Sequence, residues 1–217
     1  MRYEKKFRIS ISEFSIFLAI INKFRFMNQY QSRFISSIYY DTTDFNLYKD
    51  SINGISERKK YRARFYNKDF KEINLEEKIK IADLGYKNIY TMNELNHIIK
   101  IRLFLNKKNN LDYLLIPSKL FGIYSPVSFV NYFRSYFISY DGKTRITLDE
   151  KINYSKIINN KKDLSLSIKI PDKLGVIEVK YDEENEMSEK TIFNLTASLN
   201  FHLSRNSKYC NSIESIF

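Results

Sequence analysis

The segment RKKYRARFY, residues 58–66, carries Arg58, Lys60, Arg62 and Arg64 at alternate positions. Successive side chains of an extended strand point to opposite faces. As a strand, the segment would therefore set these cations on one face with Tyr66, and Lys59, Tyr61, Ala63 and Phe65 on the other. The spacing recurs along the chain. Glu4, Lys6 and Arg8 alternate in YEKKFR, Glu76, Lys78 and Lys80 in LEEKIK, and Tyr132, Arg134 and Tyr136 in NYFRSYF. Arg145, Thr147 and Asp149 alternate in TRITLDE, and Glu178, Lys180 and Asp182 in VIEVKYD.

On one strand, alternating charge describes the wetted face of an antiparallel sheet. On several strands converging inside a barrel, it describes a self-repelling cationic lining, tolerable only with water, countercharge or an anionic ligand. A linear polyphosphate is such a ligand. Arginine offers phosphate oxygens planar bidentate contacts, and lysine offers a movable point charge. The interspersed glutamates would hold a divalent metal against the phosphates.

Composition bounds the possibilities. A chain of 217 residues, 43% of them hydrophobic, suits a single domain with one core. The net charge of +11 calls for a polyanionic partner: nucleic acid, an acidic membrane or a phosphate compound. A nucleic-acid reader would gather its cations on an exposed helix or stacking platform, whereas here they alternate on strands. Cys210 is the one cysteine, which excludes an internal disulfide and fits a reducing compartment. With only His97 and His202 besides, any metal would be hard and oxygen-bound, Mg²⁺ or Mn²⁺. The opening MRYEKKFRISISEFSIFLAII places cations before an apolar run, as a signal peptide does. Glu13 and several serines interrupt that run, and it falls short of the roughly 18–20 residues needed to span a bilayer. The expected setting is the cytoplasm or the cytosolic face of a membrane.

Elements that would position these residues can be read off. YEKKFRIS alternates as a strand, and Ser10 with Glu13 forms a capping box for a helix over about 13–25. Strands are expected at 34–42, 56–66, 73–80, 127–139, 144–150, 164–170 and 175–182, with a turn at Asp141-Gly142-Lys143. A turn or short helix precedes the break at Asn53-Gly54. Helices are expected at about 91–106, 111–115 and 188–199, followed by a tail. Asp41 and Asp44 read as turn and capping residues, and Cys210 as a packed thiol. The whole is one α+β domain.

In chain order, YEKKFRI, SIYYDT, ERKKYRARFY, LEEKIK, NYFRSYF, RITLDE, VIEVKY and SKYC together resemble the VTC (vacuolar transporter chaperone) domain. This is the polyphosphate polymerase branch of the triphosphate tunnel metalloenzymes, a CYTH-like superfamily. The resemblance implies an antiparallel eight-stranded tunnel with helices packed outside, binding ATP and inorganic polyphosphate or triphosphate. By motif, Lys6, Arg62, Arg64, Arg134, Arg145 and Lys208 would be catalytic cations. Lys60, Lys78, Lys180, Tyr40 and Ser207 would bind substrate, Glu178 would hold the metal, and Glu76 would help it or orient a lysine. The superfamily's Glu-x-Glu-x-Lys signature reads Arg2, Glu4, Lys6 here, so its first Glu is missing. That suits the VTC branch better than the hydrolases and shifts the metal burden to Glu178. The implied activity is transfer of the ATP γ-phosphate to a growing phosphate chain. A tripolyphosphatase or nucleoside triphosphatase, or a non-catalytic polyphosphate or inositol phosphate binder, would use the same clamp. No membrane span is expected; regulation or export would fall to a membrane-protein partner.

Overall fold

A computed structural model describes residues 2–67, 69–82, 84–91, 124–160, 163–182, 197 and 204–217. The strands are β1 (Arg2–Ser10), β2 (Met27–Asp41), β3 (Glu57–Tyr66), β4 (Asp69–Ile81) and β5 (Leu84–Thr91). They continue with β6 (Ser125–Ile138), β7 (Thr144–Asn160), β8 (Asp163–Leu166), β9 (Ile170–Pro171) and β10 (Leu174–Asp182). Helices α1 (Phe14–Lys23), α2 (Asn46–Ile52) and α3 (Lys208–Ile216) accompany them. The helices expected at about 91–106 and 111–115 fall outside the described residues beyond Thr91, which ends β5. So, but for residue 197, does the one expected at 188–199.

The chain divides into two compact units. The first comprises residues 1–34, 132–152 and 171–207; the second comprises 35–131, 153–170 and 208–217. In the first, the strand order is β1-β10-β7-β6-β2. In the second it is β7-β6-β2-β3-β4-β5, with β8 also pairing β7. Among the described residues the two orders draw on β1–β7 and β10, with β8 and β9 each pairing β7 off that path. The hydrogen-bonded order is open among the described residues, ending at β1 and at β5.

Pairing in the first unit sorts side chains by chemistry. Lys6 stands opposite Glu178, Glu178 opposite Thr147, and Lys180 between Glu4 and Arg145, all in antiparallel register. The alternate residues build the core: Phe7 and Ile9 of β1, Ile146 and Leu148 of β7, and Ile177 and Val179 of β10. Phe17, Ile20 and Ile21 of α1 join that cluster. The expected capping box is present, with the Ser10 amide donating to Glu13 at 2.6 Å ahead of α1. One face of the sheet is thus sealed by a helix, and the other carries the charges. Gly175 makes the sealing possible. A Cβ there would lie 2.7 Å from the Phe14 ring and 3.0 Å from the Asp149 carbonyl oxygen.

The second unit repeats the sorting. Tyr40, Tyr61, Ala63, Phe65, Ile73 and Leu75 form its core with Ile38 and Leu47, while Tyr39, Arg62, Arg64 and Glu76 occupy the other face. Asp41 is fully buried and caps α2, accepting from the Leu47 and Tyr48 amides at 3.0 Å each. The segment expected to be a tail is α3, which buries Tyr209, Cys210, Ser212 and Ile213. The Tyr209 hydroxyl donates to Asp41, and Ser212 shares a 2.9 Å hydrogen bond with Ser128 of β6.

Replacing Gly175 by Ala is expected to lower stability by about 1–3 kcal/mol, because Phe14 and the Asp149 backbone leave no room for a methyl group. Urea unfolding of both proteins measures this; equal midpoints would contradict the packing described.

Candidate functional site

Two clusters of charge occupy the polar faces, one in each unit. In the first unit, Glu178 of β10 sits between lysines, 2.8 Å from Lys180 Nζ and 3.6 Å from Lys6 Nζ. Glu4 joins it, 2.6 Å from Lys6 and 3.5 Å from Lys180. Burial would raise the Glu178 carboxyl, but Lys6, Lys180 and Arg134 outweigh it and hold the group well below the ordinary carboxylate range. Burial would likewise lower the Lys6 ammonium, but Glu178 and Glu4 raise it above its usual value. Both groups stay charged at neutral pH.

Arg134 of β6 is clamped by Asp149 of β7. Its Nε lies 2.5 Å from one carboxylate oxygen and its Nη2 2.7 Å from the other. The guanidinium also lies over the Tyr132 ring, 5.3 Å from the centroid. Asp149, with 1% side-chain exposure, leaves the arginine little freedom to reorient. Arg145 is exposed on this face, opposite Lys180. Thr147 Oγ1, across from Glu178, is buried and has no hydrogen-bond partner among the described residues.

In the second unit the organising group is Glu76 of β4, 3% exposed. It stands opposite Arg62 of β3 and takes its Nε at 2.6 Å and its Nη2 in a still closer ion pair. Arg64 Nη1 approaches at 3.7 Å and Lys87 of β5 at 3.1 Å. Burial would raise the Glu76 carboxyl, but Arg64, Arg62 and Lys87 pull it down to about 2. The resemblance offered Glu76 either as a helper to the metal or as an orienting partner for lysine; here its carboxylate meets Arg62, Arg64 and Lys87.

Arg62 also reaches the Tyr39 hydroxyl, with Nη1 at 3.5 Å. Tyr39 stacks on Tyr209, ring centroids 5.2 Å apart. Lys60 lies over the Tyr209 ring at 6.0 Å, its Nζ 3.8 Å from Cys210 Sγ. Lys208 opens α3 close enough to act on Tyr39 electrostatically, and Ser207 precedes it, half-buried. Lys78 is exposed on β4, in register with Lys60 and Lys87.

The expected residues therefore gather as Lys6, Glu178, Lys180, Arg134 and Arg145 in one unit, and Arg62, Arg64, Glu76, Lys60, Lys78 and Lys208 in the other. Tyr40 does not join them. At 1% exposure it lies in the apolar core, because the pleat turns it away from the cations and turns Tyr39 toward them. Lys87 and Asp149 had not been assigned roles. Lys87 lies on a strand without hydrophobic alternation, while Asp149 was visible only as a same-face neighbour of Arg145.

The VTC domain model matches residues 1–217, the whole chain. The chain belongs to the VTC domain family. Solved structures share the fold of this VTC domain at low sequence identity. A Hippeastrum protein described as an adenylyl cyclase with a dominant triphosphatase activity aligns at TM-score 0.57 and 13% identity. That match covers 100% of this chain and 97% of the other. A Pyrococcus horikoshii protein aligns at TM-score 0.54 and 13% identity, covering 100% of both chains. A Vibrio parahaemolyticus protein described as an adenylate cyclase gives TM-score 0.50 and 14% identity, covering 98% of each chain. No curated protein sequence matches. Among the described residues of the VTC domain, no helix is long and apolar enough to cross a membrane.

The Glu76 shift fixes a pH dependence. A carboxyl depressed from 4.5 to about 2 stabilises the fold fully above its unfolded value and loses that contribution as pH falls through its native value. Stability on the order of 3 kcal/mol should thus disappear between pH 4.5 and about pH 2. Urea unfolding of wild type and Glu76→Gln should show a gap that is wide at neutral pH and closes on acidification. A pH-independent gap would contradict the assignment.

Proposed function

We propose that this VTC domain is a metal-dependent polyphosphate polymerase. It would transfer the γ-phosphate of ATP to the terminal phosphate of a growing chain, releasing ADP. The reading rests chiefly on one feature: arginines fixed by buried carboxylates, Arg62 and Arg64 on Glu76 and Arg134 on Asp149. Phosphoryl transfer requires positioning and charge neutralisation more than covalent chemistry. Guanidiniums locked in place can supply both without reorganising as the reaction proceeds.

In this account Arg62, Arg64, Lys60, Lys78 and Lys208 bind phosphates in one unit, and Lys6, Arg134, Arg145 and Lys180 in the other. Ser207 supplies a hydroxyl beside Lys208. The nucleophile is a terminal phosphate oxygen of the acceptor. It is already anionic at neutral pH, so no general base is needed. The new P–O bond forms as the bond to the β-phosphate oxygen breaks, and ADP carries the electron pair away.

Glu178 and Glu4 fit a hard divalent cation, Mn²⁺ or Mg²⁺. Among the described residues no three His, Cys, Asp or Glu side chains gather to cage a metal. A carboxylate pair with Thr147 Oγ1 unpartnered beside it suits an ion that draws its other ligands from phosphate and water. Bound there, the ion would neutralise charge on the phosphoryl oxygens. Lys6 and Lys180 keep both carboxylates ionised for it.

Hydrolysis is the second reading, with water in place of the acceptor. It draws on the Hippeastrum protein of the same fold, described as having a dominant triphosphatase activity. The absent first Glu of the metal signature, replaced by Arg2, favours the polymerase.

Purified protein incubated with ATP and Mn²⁺ or Mg²⁺ is expected to yield a phosphate ladder on a gel. Arg62→Ala and Glu178→Ala should each reduce it at least a hundredfold, as in sites where electrostatic stabilisation carries the rate, worth about 10²–10³ per donor. Free phosphate without a ladder would move the domain to the hydrolases. Full activity in Glu178→Ala would overturn the metal assignment.

A further inference from the structure

Tyr39 is buried, 5% exposed, and stands directly opposite Arg62 on the cation-bearing face of the second unit. Its ring is held by the stack on Tyr209, whose own hydroxyl is given to Asp41. Arg62 Nη1 donates to the Tyr39 oxygen. The charged groups acting most strongly on that phenol are Arg62 and Arg64 of β3 and Lys208 of α3. Guanidinium and ammonium groups donate hydrogen bonds and accept none. Glu76, the carboxylate of the cluster, is engaged by Arg62, Arg64 and Lys87. Among the described residues the one hydrogen bond of the Tyr39 hydroxyl is the one it accepts from Arg62, so its own proton meets no protein acceptor there, in a setting where an unmet donor is costly.

We propose that Tyr39 is a substrate-contacting residue that donates its O–H to a non-bridging oxygen of a phosphate held by Arg62 and Arg64. The inference rests on the reading that these cations bind a phosphate chain, and it adds to them a neutral, directional donor. Such a donor would fix the rotation of a phosphate that point charges alone leave free to turn. Burial would make the phenol less acidic, but Arg62, Arg64 and Lys208 outweigh it and leave it more acidic than a free tyrosine. A polarised O–H is the stronger hydrogen-bond donor to an anion.

Calorimetric binding of tripolyphosphate to wild type and Tyr39→Phe tests the contact, with a roughly tenfold weaker affinity expected for the variant. Tyrosinate absorbance provides a second readout that needs only the wild type. The most acidic tyrosine step should move to higher pH when tripolyphosphate is added, since a proton donated to an anion is harder to remove. That step should be missing from Tyr39→Phe. Equal affinities with an unmoved titration would overturn the role of Tyr39 and leave the phosphate-binding reading standing. Failure of wild type to bind tripolyphosphate would overturn both. Should Tyr39→Phe fail to fold, the wild-type titration still decides.

Discussion

Cations placed a few ångströms apart repel, and the polar faces of this VTC domain exist because carboxylates, with Glu76 and Asp149 buried among them, hold those cations together. Glu76 binds Arg62, Arg64 and Lys87, Asp149 grips Arg134 by two bonds, and Glu178 with Glu4 separates Lys6 from Lys180. Sheltered from water, such pairs interact strongly, and removing the acidic partner would leave a buried positive charge unanswered. The arrangement also has a chemical use. A guanidinium carries five N–H donors, and a carboxylate that fixes one edge leaves capacity for a second anion. Holding the arginines in place before the substrate arrives lowers the cost of ordering them on binding.

Everything behind the polar faces serves to keep them rigid. In the first unit, α1 and the aliphatic side of β1, β7 and β10 form a continuous apolar cluster that Gly175 allows to close. The pleat then leaves Lys6, Arg145, Thr147, Glu178 and Lys180 together on the opposite side. In the second unit, α3 ties its own start to the sheet through Tyr209 and Asp41, and Asp41 also caps α2. Lys208 begins that helix, so one buried aspartate links a helix cap to the placement of a cation.

Much of this could be read in the sequence, because charge alternation with period two is conspicuous when the other face is apolar. Residues 56–66, 73–80, 127–139 and 175–182 were legible for that reason, as were the charged sets they carry. Other features lacked the signal. Strand β5 exposes most of its residues, leaving no hydrophobic period to detect, and Lys87 was lost with it. Strand β7 runs unbroken to Asn160, past the expected end at 150, passing through Lys151 in a left-handed conformation (φ +51°) that a period-two pattern does not foresee. Helix α3 escaped notice because Cys210 and Ser212 supply half of its buried positions, which weakens the apolar stripe. The choice between Tyr39 and Tyr40 turned on a pleat register that adjacent tyrosines cannot reveal. Glu76 stood among lysines in sequence, and only pairing with β3 and β5 turns it into the anchor of Arg62.

A crystal structure grown with tripolyphosphate would show whether the carboxylate-held arginines receive a phosphate chain. Phosphate oxygens are expected bonded to Arg62 and Arg64, or to Arg134 and Lys6, with Glu76 and Asp149 still gripping their arginines. Tripolyphosphate bound only to exposed surface lysines, with no phosphate at either carboxylate-held cluster, would contradict that.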